Sequence, residues 1–140
     1  MRLLWASLIT CVLSACAVNF ESAIESPSLV ETVVTKMSIE DAASLGRNKL
    51  ERCLDVGGEG KFMSGSTYIN TGAVLSLAQR KVGNRIDQAV YSNTSTAIVL
   101  SYETAENGTQ VTAYSNNWGM NKWAKRAVLW FGETDAGCRP

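Results

Sequence analysis

Residues 96–115 read TAIVLSYETAENGTQVTAYS, two runs of alternating apolar and polar side chains set around Asn107-Gly108. An Asn-Gly pair takes the positive φ angles of a type I′ turn, the tight link between antiparallel strands. Such a turn places Thr104 opposite Val111 and Tyr102 opposite Ala113. Ile98, Leu100, Tyr102, Val111 and Ala113 then share one face, while Ser101, Glu103, Gln110, Thr112 and Tyr114 form a mostly polar opposite face. Turn and hydrophobic pattern agree, which specifies register, because a one-residue slip would invert both faces. Upstream, RIDQAVYS puts Ile86 and Val90 on the core face if Asn93-Thr94-Ser95 forms a loop. AVLSLAQR alternates around Leu75 and Leu77 and runs to a turn signal at Val82-Gly83-Asn84. LVETVVTK is rich in β-branched residues, so a first strand is expected over residues 30–36. These strands predict an antiparallel meander with one wet face.

Two segments change to helical spacing. In MSIEDAASLGRNKLERCLDVGG, Ser38 is placed to cap a first turn and Asp41 follows three residues later. Glu40 and Asp41 put negative charge at the positive end of the helix dipole, and Gly57-Gly58 supplies a stop. Ile39, Ala42, Ala43, Gly46, Leu50, Cys53 and Leu54 fall on one face, and Leu45 falls outside it. In NNWGMNKWAKRAVLWFGE, Met120, Trp123, Ala124, Ala127, Val128, Trp130 and Phe131 make a broad apolar stripe opposite Lys122, Lys125 and Arg126. Such a stripe either lies in a membrane surface or covers a sheet. The second is expected here, because the meander needs a cover. The fold class is therefore α+β: an antiparallel β-meander of about four to five strands with two helices packed on one face.

The chain begins MRLLWASLITCVLSAC. Arg2 precedes an apolar run from Leu3 to Val12, too short for a bilayer that needs about 20 apolar residues. A charged start, an apolar middle and small residues at a cleavage point make a secretory signal; the other reading is a buried N-terminal helix. Leu13-Ser14-Ala15-Cys16 resembles the lipobox of bacterial lipoproteins. The resemblance covers the first sixteen residues and implies cleavage before Cys16, which is then acylated. With Ala17 rather than aspartate next, it also implies the outer membrane. Residues 1–15 are then a signal peptide, 16–29 a tether and 30–140 a single domain. The expected partners are the lipid bilayer, through acylated Cys16, and another envelope protein. Cys11 leaves with the signal, so Cys53 and Cys138 remain for the folded part. In an exported protein two thiols most simply form a disulfide, which would contribute roughly 4 kcal/mol by constraining the unfolded chain. The alternatives are free thiols or metal ligands, and a chain with no histidine has too few thiolates for a metal site. That bridge would join the end of the first helix to the segment after the second.

The chemistry open to such a chain is narrow. Without histidine there is no Ser-His-Asp or Cys-His arrangement, and a bridged pair of cysteines leaves no thiolate. Charge is balanced at 13 basic and 13 acidic side chains, with no long basic run, which argues against nucleic acid. DVGGEGKFMSGS is Gly-rich and contains Lys61, but lacks the Gly-Lys-Ser/Thr ending of a phosphate loop and reads as a flexible connection. Asn93-Thr94-Ser95 and Asn107-Gly108-Thr109 match a glycosylation pattern and read here as turns. No cofactor or metal is expected.

Ser64-Gly65-Ser66-Thr67-Tyr68 resembles the Ser-Gly-x-x-Tyr element of the membrane-bound C-type lysozyme inhibitors. Those proteins are envelope lipoproteins with a disulfide reaching the C-terminus. The resemblance implies that Ser64 and Tyr68 enter the lysozyme cleft. It covers residues 64–68 alone. That family is a β-barrel without two helices, and INTGAVLSLAQR stands where its downstream Trp and Lys-Gly pattern would be. The expectation is a small outer-membrane lipoprotein with a non-enzymatic binding or envelope-assembly role, with lysozyme inhibition as the alternative.

Overall fold

The computed structural model describes residues 19–58, 61–64, 67–70, 74–92, 95–132, 134 and 136–140, and for 61–64 and 67–70 the backbone alone. The stretch that resembles a lipobox, with Cys16, lies outside the described residues. In chain order the elements are α1 (Phe20–Glu25), β1 (Leu29–Thr35), α2 (Ile39–Cys53), β2 (Lys61–Ser64), β3 (Thr67–Asn70), β4 (Ser76–Val82), β5 (Arg85–Tyr91), β6 (Thr96–Ala105), β7 (Gly108–Ser115) and α3 (Asn121–Leu129), the last entered through a 3-10 turn, Trp118–Met120.

Five strands form one antiparallel sheet in the order β1-β7-β6-β5-β4, so the expected meander is present and β1 closes it beside β7. The β4–β5 turn at Gly83-Asn84 sets Val82 opposite Arg85, as its chemistry suggests. The β6–β7 register differs from expectation by two residues. Thr104 lies opposite Thr109 and Tyr102 opposite Val111, because Glu106-Asn107 forms the loop and Ala105 pairs with Gly108. Neither loop residue has a positive φ, so the turn is not type I′. The positive φ, 143°, falls on Gly108. There the chain end of β1 passes so close that a Cβ would strike the Thr35 carbonyl oxygen. A shift of two residues leaves every side chain on its expected face, and Ile98, Leu100, Tyr102, Val111 and Ala113 are all buried.

Both longer helices cover that face. Ser38 Oγ accepts the Asp41 N–H at 3.1 Å, opening α2, and Ala42, Ala43, Gly46, Leu50 and Cys53 are buried beneath it. Leu45, outside the stripe, is half-buried against the same core. All seven apolar residues of the α3 stripe are buried, and Trp123 is 1% exposed, so this helix covers the sheet. Phe131 meets the Tyr102 ring edge-on, with centroids 6.0 Å apart. Gln88 lies among these apolar groups: its Oε1 accepts the Tyr102 O–H at 2.7 Å, and its Nε2 donates to the Ala43 carbonyl at 2.7 Å. Gly46 leaves the room that the Tyr102 hydroxyl occupies.

The structure changes two further expectations. The stretch assigned as tether contains α1, whose Phe20, Ala23 and Ile24 pack on Ala78, Ala89, Val99 and Tyr114. That face is therefore half covered rather than wholly wet. A helix this short shows too little periodicity to announce itself. The segment read as a flexible connection contributes β2, which pairs with β3 in a two-stranded ribbon separate from the main sheet. Its register sets apolar Phe62 opposite Ile69 and Met63 opposite Tyr68.

Candidate functional site

Cys53 and Cys138 are bonded, with an S–S distance of 2.07 Å, and the bridge closes a separation of 85 residues. The C-terminal segment is further held by Trp130 Nε1, which donates to the Gly137 carbonyl at 2.8 Å, and by Arg126, which donates to the Ala136 carbonyl at 2.7 Å. This pair is architecture: both sulfurs are used, and no reactive thiolate is left at either position. Ser64 and Tyr68 lie on the two strands of the ribbon, Ser64 opposite Thr67 and Tyr68 opposite Met63. The structure therefore brings their backbones into neighbouring register positions, and their side chains lie outside its description.

The most organised polar group is one that sequence reasoning missed. It lies on the second sheet face, where α1 ends and the sheet becomes open. Register places Arg80 opposite Asp87 and Asp87 opposite Ser101. The Asp87 carboxylate is fully buried. Its Oδ1 accepts the Ser101 hydroxyl at 2.6 Å, and its Oδ2 accepts Arg80 Nε at 2.9 Å and Arg85 Nη2 at 3.0 Å. A buried charge requires such pairing, since leaving one uncompensated costs several kcal/mol. Arg80 also reaches α1: its Nη1 donates to Glu21 at 2.8 Å, and its guanidinium sits 4.3 Å from the centre of the Phe20 ring. Burial lowers the affinity of Arg80 for its proton, but the hydrogen bonds and charges of Asp87 and Glu21 outweigh it and hold the guanidinium above its ordinary value. One carboxylate thus orients two arginines, and one of those arginines latches α1.

Beyond the latch the face is open. Arg85 and Glu103 border a shallow depression of about 340 Å3 with Val82, Asn84 and Thr104. Tyr114 stands at the boundary with α1, and its phenol is raised above the ordinary tyrosine value, first by burial and then by the Glu103 charge. Towards β1 the surface turns apolar, with Val30 and Val34 46% and 56% exposed. On the opposite, helix-covered side, a groove of about 440 Å3 runs between residues 33–37 and Phe131-Gly132.

The signal for the cluster was present in the chain. A two-residue Gly83-Asn84 turn sets Arg80 opposite Asp87, and Gln88 shares a face with Ile86 and Val90 by simple alternation. What no local pattern carries is that α1 returns to stack on Arg80.

Comparison with protein-family models, with curated proteins and with solved structures gives no match for this chain. Among the described residues no helix is long and apolar enough to cross a membrane. Nor do they hold a group of three or more His, Cys, Asp or Glu side chains able to bind a metal ion.

Proposed function

We propose that this chain is a lipid-anchored protein of the bacterial outer membrane whose folded domain binds another envelope protein and serves envelope assembly without catalysing a reaction. The anchor reading rests on the lipobox resemblance ending at Cys16 and on a disulfide that suits an exported protein. The binding reading rests on one observation above all. The open half of the second sheet face presents Arg85, Glu103 and Tyr114 beside a fully buried Asp87 that holds the Arg85 guanidinium in place. Pre-oriented charges on an open sheet face favour recognition of a partner surface, because little side-chain entropy is lost on contact. A chain without histidine, with Cys53 and Cys138 bridged, has few groups for acid–base or nucleophilic work.

Two experiments test this. Cys16→Ser should abolish incorporation of labelled palmitate and release the protein from the membrane fraction; retained label would remove the anchor. Photo-crosslinking side chains placed at Glu103 and at Gln110 should trap the same envelope protein in cells, and one placed at Glu51 on the outer side of α2 should not. Arg85→Glu should abolish the adduct. Equal capture from all three positions, or capture unaffected by Arg85→Glu, would sink the assignment of this face.

A further inference from the structure

The two edges of the main sheet differ in how they meet solvent. A hydrogen bond from Asn116 N–H to the Ala97 carbonyl, and one from Ser28 N–H to the Ser115 carbonyl, show which groups of β7 point each way. Its even-numbered residues bond β6 and its odd-numbered residues bond β1. With Val33 opposite Val111 and Glu31 opposite Ala113, the N–H and C=O groups of Val30, Thr32 and Val34 point away from the sheet. Among the described residues none of these six groups has a hydrogen-bond partner. The β4 edge carries Arg80 and Lys81, charges of the kind that keep an edge from pairing. β1 spans seven residues with neither proline nor lysine inside it, and two of its valines are about half exposed. An edge of that kind is a template for another strand.

The sequence of β1 selects the strand. Read antiparallel against itself about Thr32, LVETVVT sets Val30 opposite Val34, Thr32 opposite Thr32 and Val34 opposite Val30. Every one of those pairs joins residues whose backbone groups already point outward, so each pair can exchange both of its hydrogen bonds. Both exposed valines gain an apolar cross-strand neighbour on the open face. On the helix-covered face Glu31 meets Val33 rather than another Glu31, so no like charges are opposed. Neighbouring registers, centred on Glu31 or Val33, leave one valine paired with threonine and the other at the end of the ladder.

We propose that this chain forms a two-fold symmetric dimer by pairing β1 with β1 of a second copy, centred on Thr32. Two five-stranded sheets then become one continuous sheet with the open polar faces on the same side. The interface is isologous, each Val30–Val34 contact occurring twice, so every substitution in β1 acts twice. This holds whether or not the open face binds a further protein.

Sedimentation of the purified protein should show a dimer at micromolar concentration. V30K/V34K sets lysines opposite each other in both outer pairs and should weaken association about 100-fold, from like-charge opposition and lost valine contact. V30K/V34E keeps the same polarity but opposes unlike charges in both pairs, and should stay within about tenfold of the unaltered protein. Because these side chains are exposed in the single copy, near-UV circular dichroism should be the same for both variants. Thr32→Cys gives an independent reading: a nonreducing gel of envelope fractions should show a disulfide-linked dimer, and Val82→Cys on the far edge should not. A monomer at about 100 μM, well above a micromolar dissociation constant, equal association of the two double variants, or no Thr32→Cys dimer would overturn the proposal.

Discussion

Replacing Gly46 by alanine sets two effects against each other, and their sizes decide the sign. In the interior of an exposed helix this change stabilises by about 1 kcal/mol, because glycine loses more backbone freedom on folding. In α2 the added Cβ would overlap the Tyr102 hydroxyl and lie 2.9 Å from Tyr102 Cζ and 3.2 Å from Gln88 Oε1. Tyr102 is fully buried and its ring is braced by Phe131, so the clash has no cheap outlet. Either α2 lifts from the sheet or the Tyr102–Gln88 hydrogen bond breaks. Overpacking of this kind costs about 1–3 kcal/mol. A buried polar group left short of its partner adds about 1–3 kcal/mol. After the helix-propensity gain, a net loss of about 1–5 kcal/mol is expected. Urea unfolding followed by tryptophan fluorescence measures it. Tyr102→Phe removes the atom that overlaps most, so the double variant should be less unstable than the two single losses added, by about 1–2 kcal/mol. If Gly46→Ala is as stable as the unaltered protein, or if the two changes simply add, the close approach of α2 to Tyr102 is wrong.

Three further outcomes are expected. Opening the Cys53–Cys138 bridge by Cys138→Ser frees a loop of 85 residues and should lower stability by about 4–5 kcal/mol in the chain-entropy account, so identical urea midpoints with and without reductant would contradict it. Trp123→Ala should cost about 3–5 kcal/mol, as large aromatic truncations in cores do, and a stability change below the error of the urea titration would take α3 out of the core. Burial raises the Tyr102 phenol well above its ordinary value, so its contribution is complete below about pH 10, where the unfolded phenol titrates, and is lost as pH climbs through the raised folded value. Tyr102→Phe should therefore flatten the alkaline loss of stability, with a smaller slope remaining because Tyr114 is raised in the same direction.

Local chemistry determined a large part of this molecule. Ser38 with Asp41, the α3 stripe, the Gly83-Asn84 turn and the alternation on β5, β6 and β7 each act within a few residues. Their periods of 3.6 and 2 appear in the chain itself. Even the misjudged Asn107-Gly108 register was harmless to the core, since a slip of two preserves faces. The partnership of Cys53 with Cys138 was also within reach of the sequence, because two thiols left over in a chain read as exported have one another as the simplest partner. The tertiary structure alone decided what depends on distant segments meeting. Gly108 is glycine because Thr35 passes beside it, and Gly46 because Tyr102 fills the space its side chain would take. Asp87 can be fully buried because Arg80, Arg85 and Ser101 converge on it, and Arg80 is then held by Glu21 and Phe20 from the far end of the chain. The longest of those contacts joins positions 60 apart in the chain, Phe20 and Arg80. No period or motif encodes such a meeting, since its free energy exists only once the strands between are paired and water is excluded.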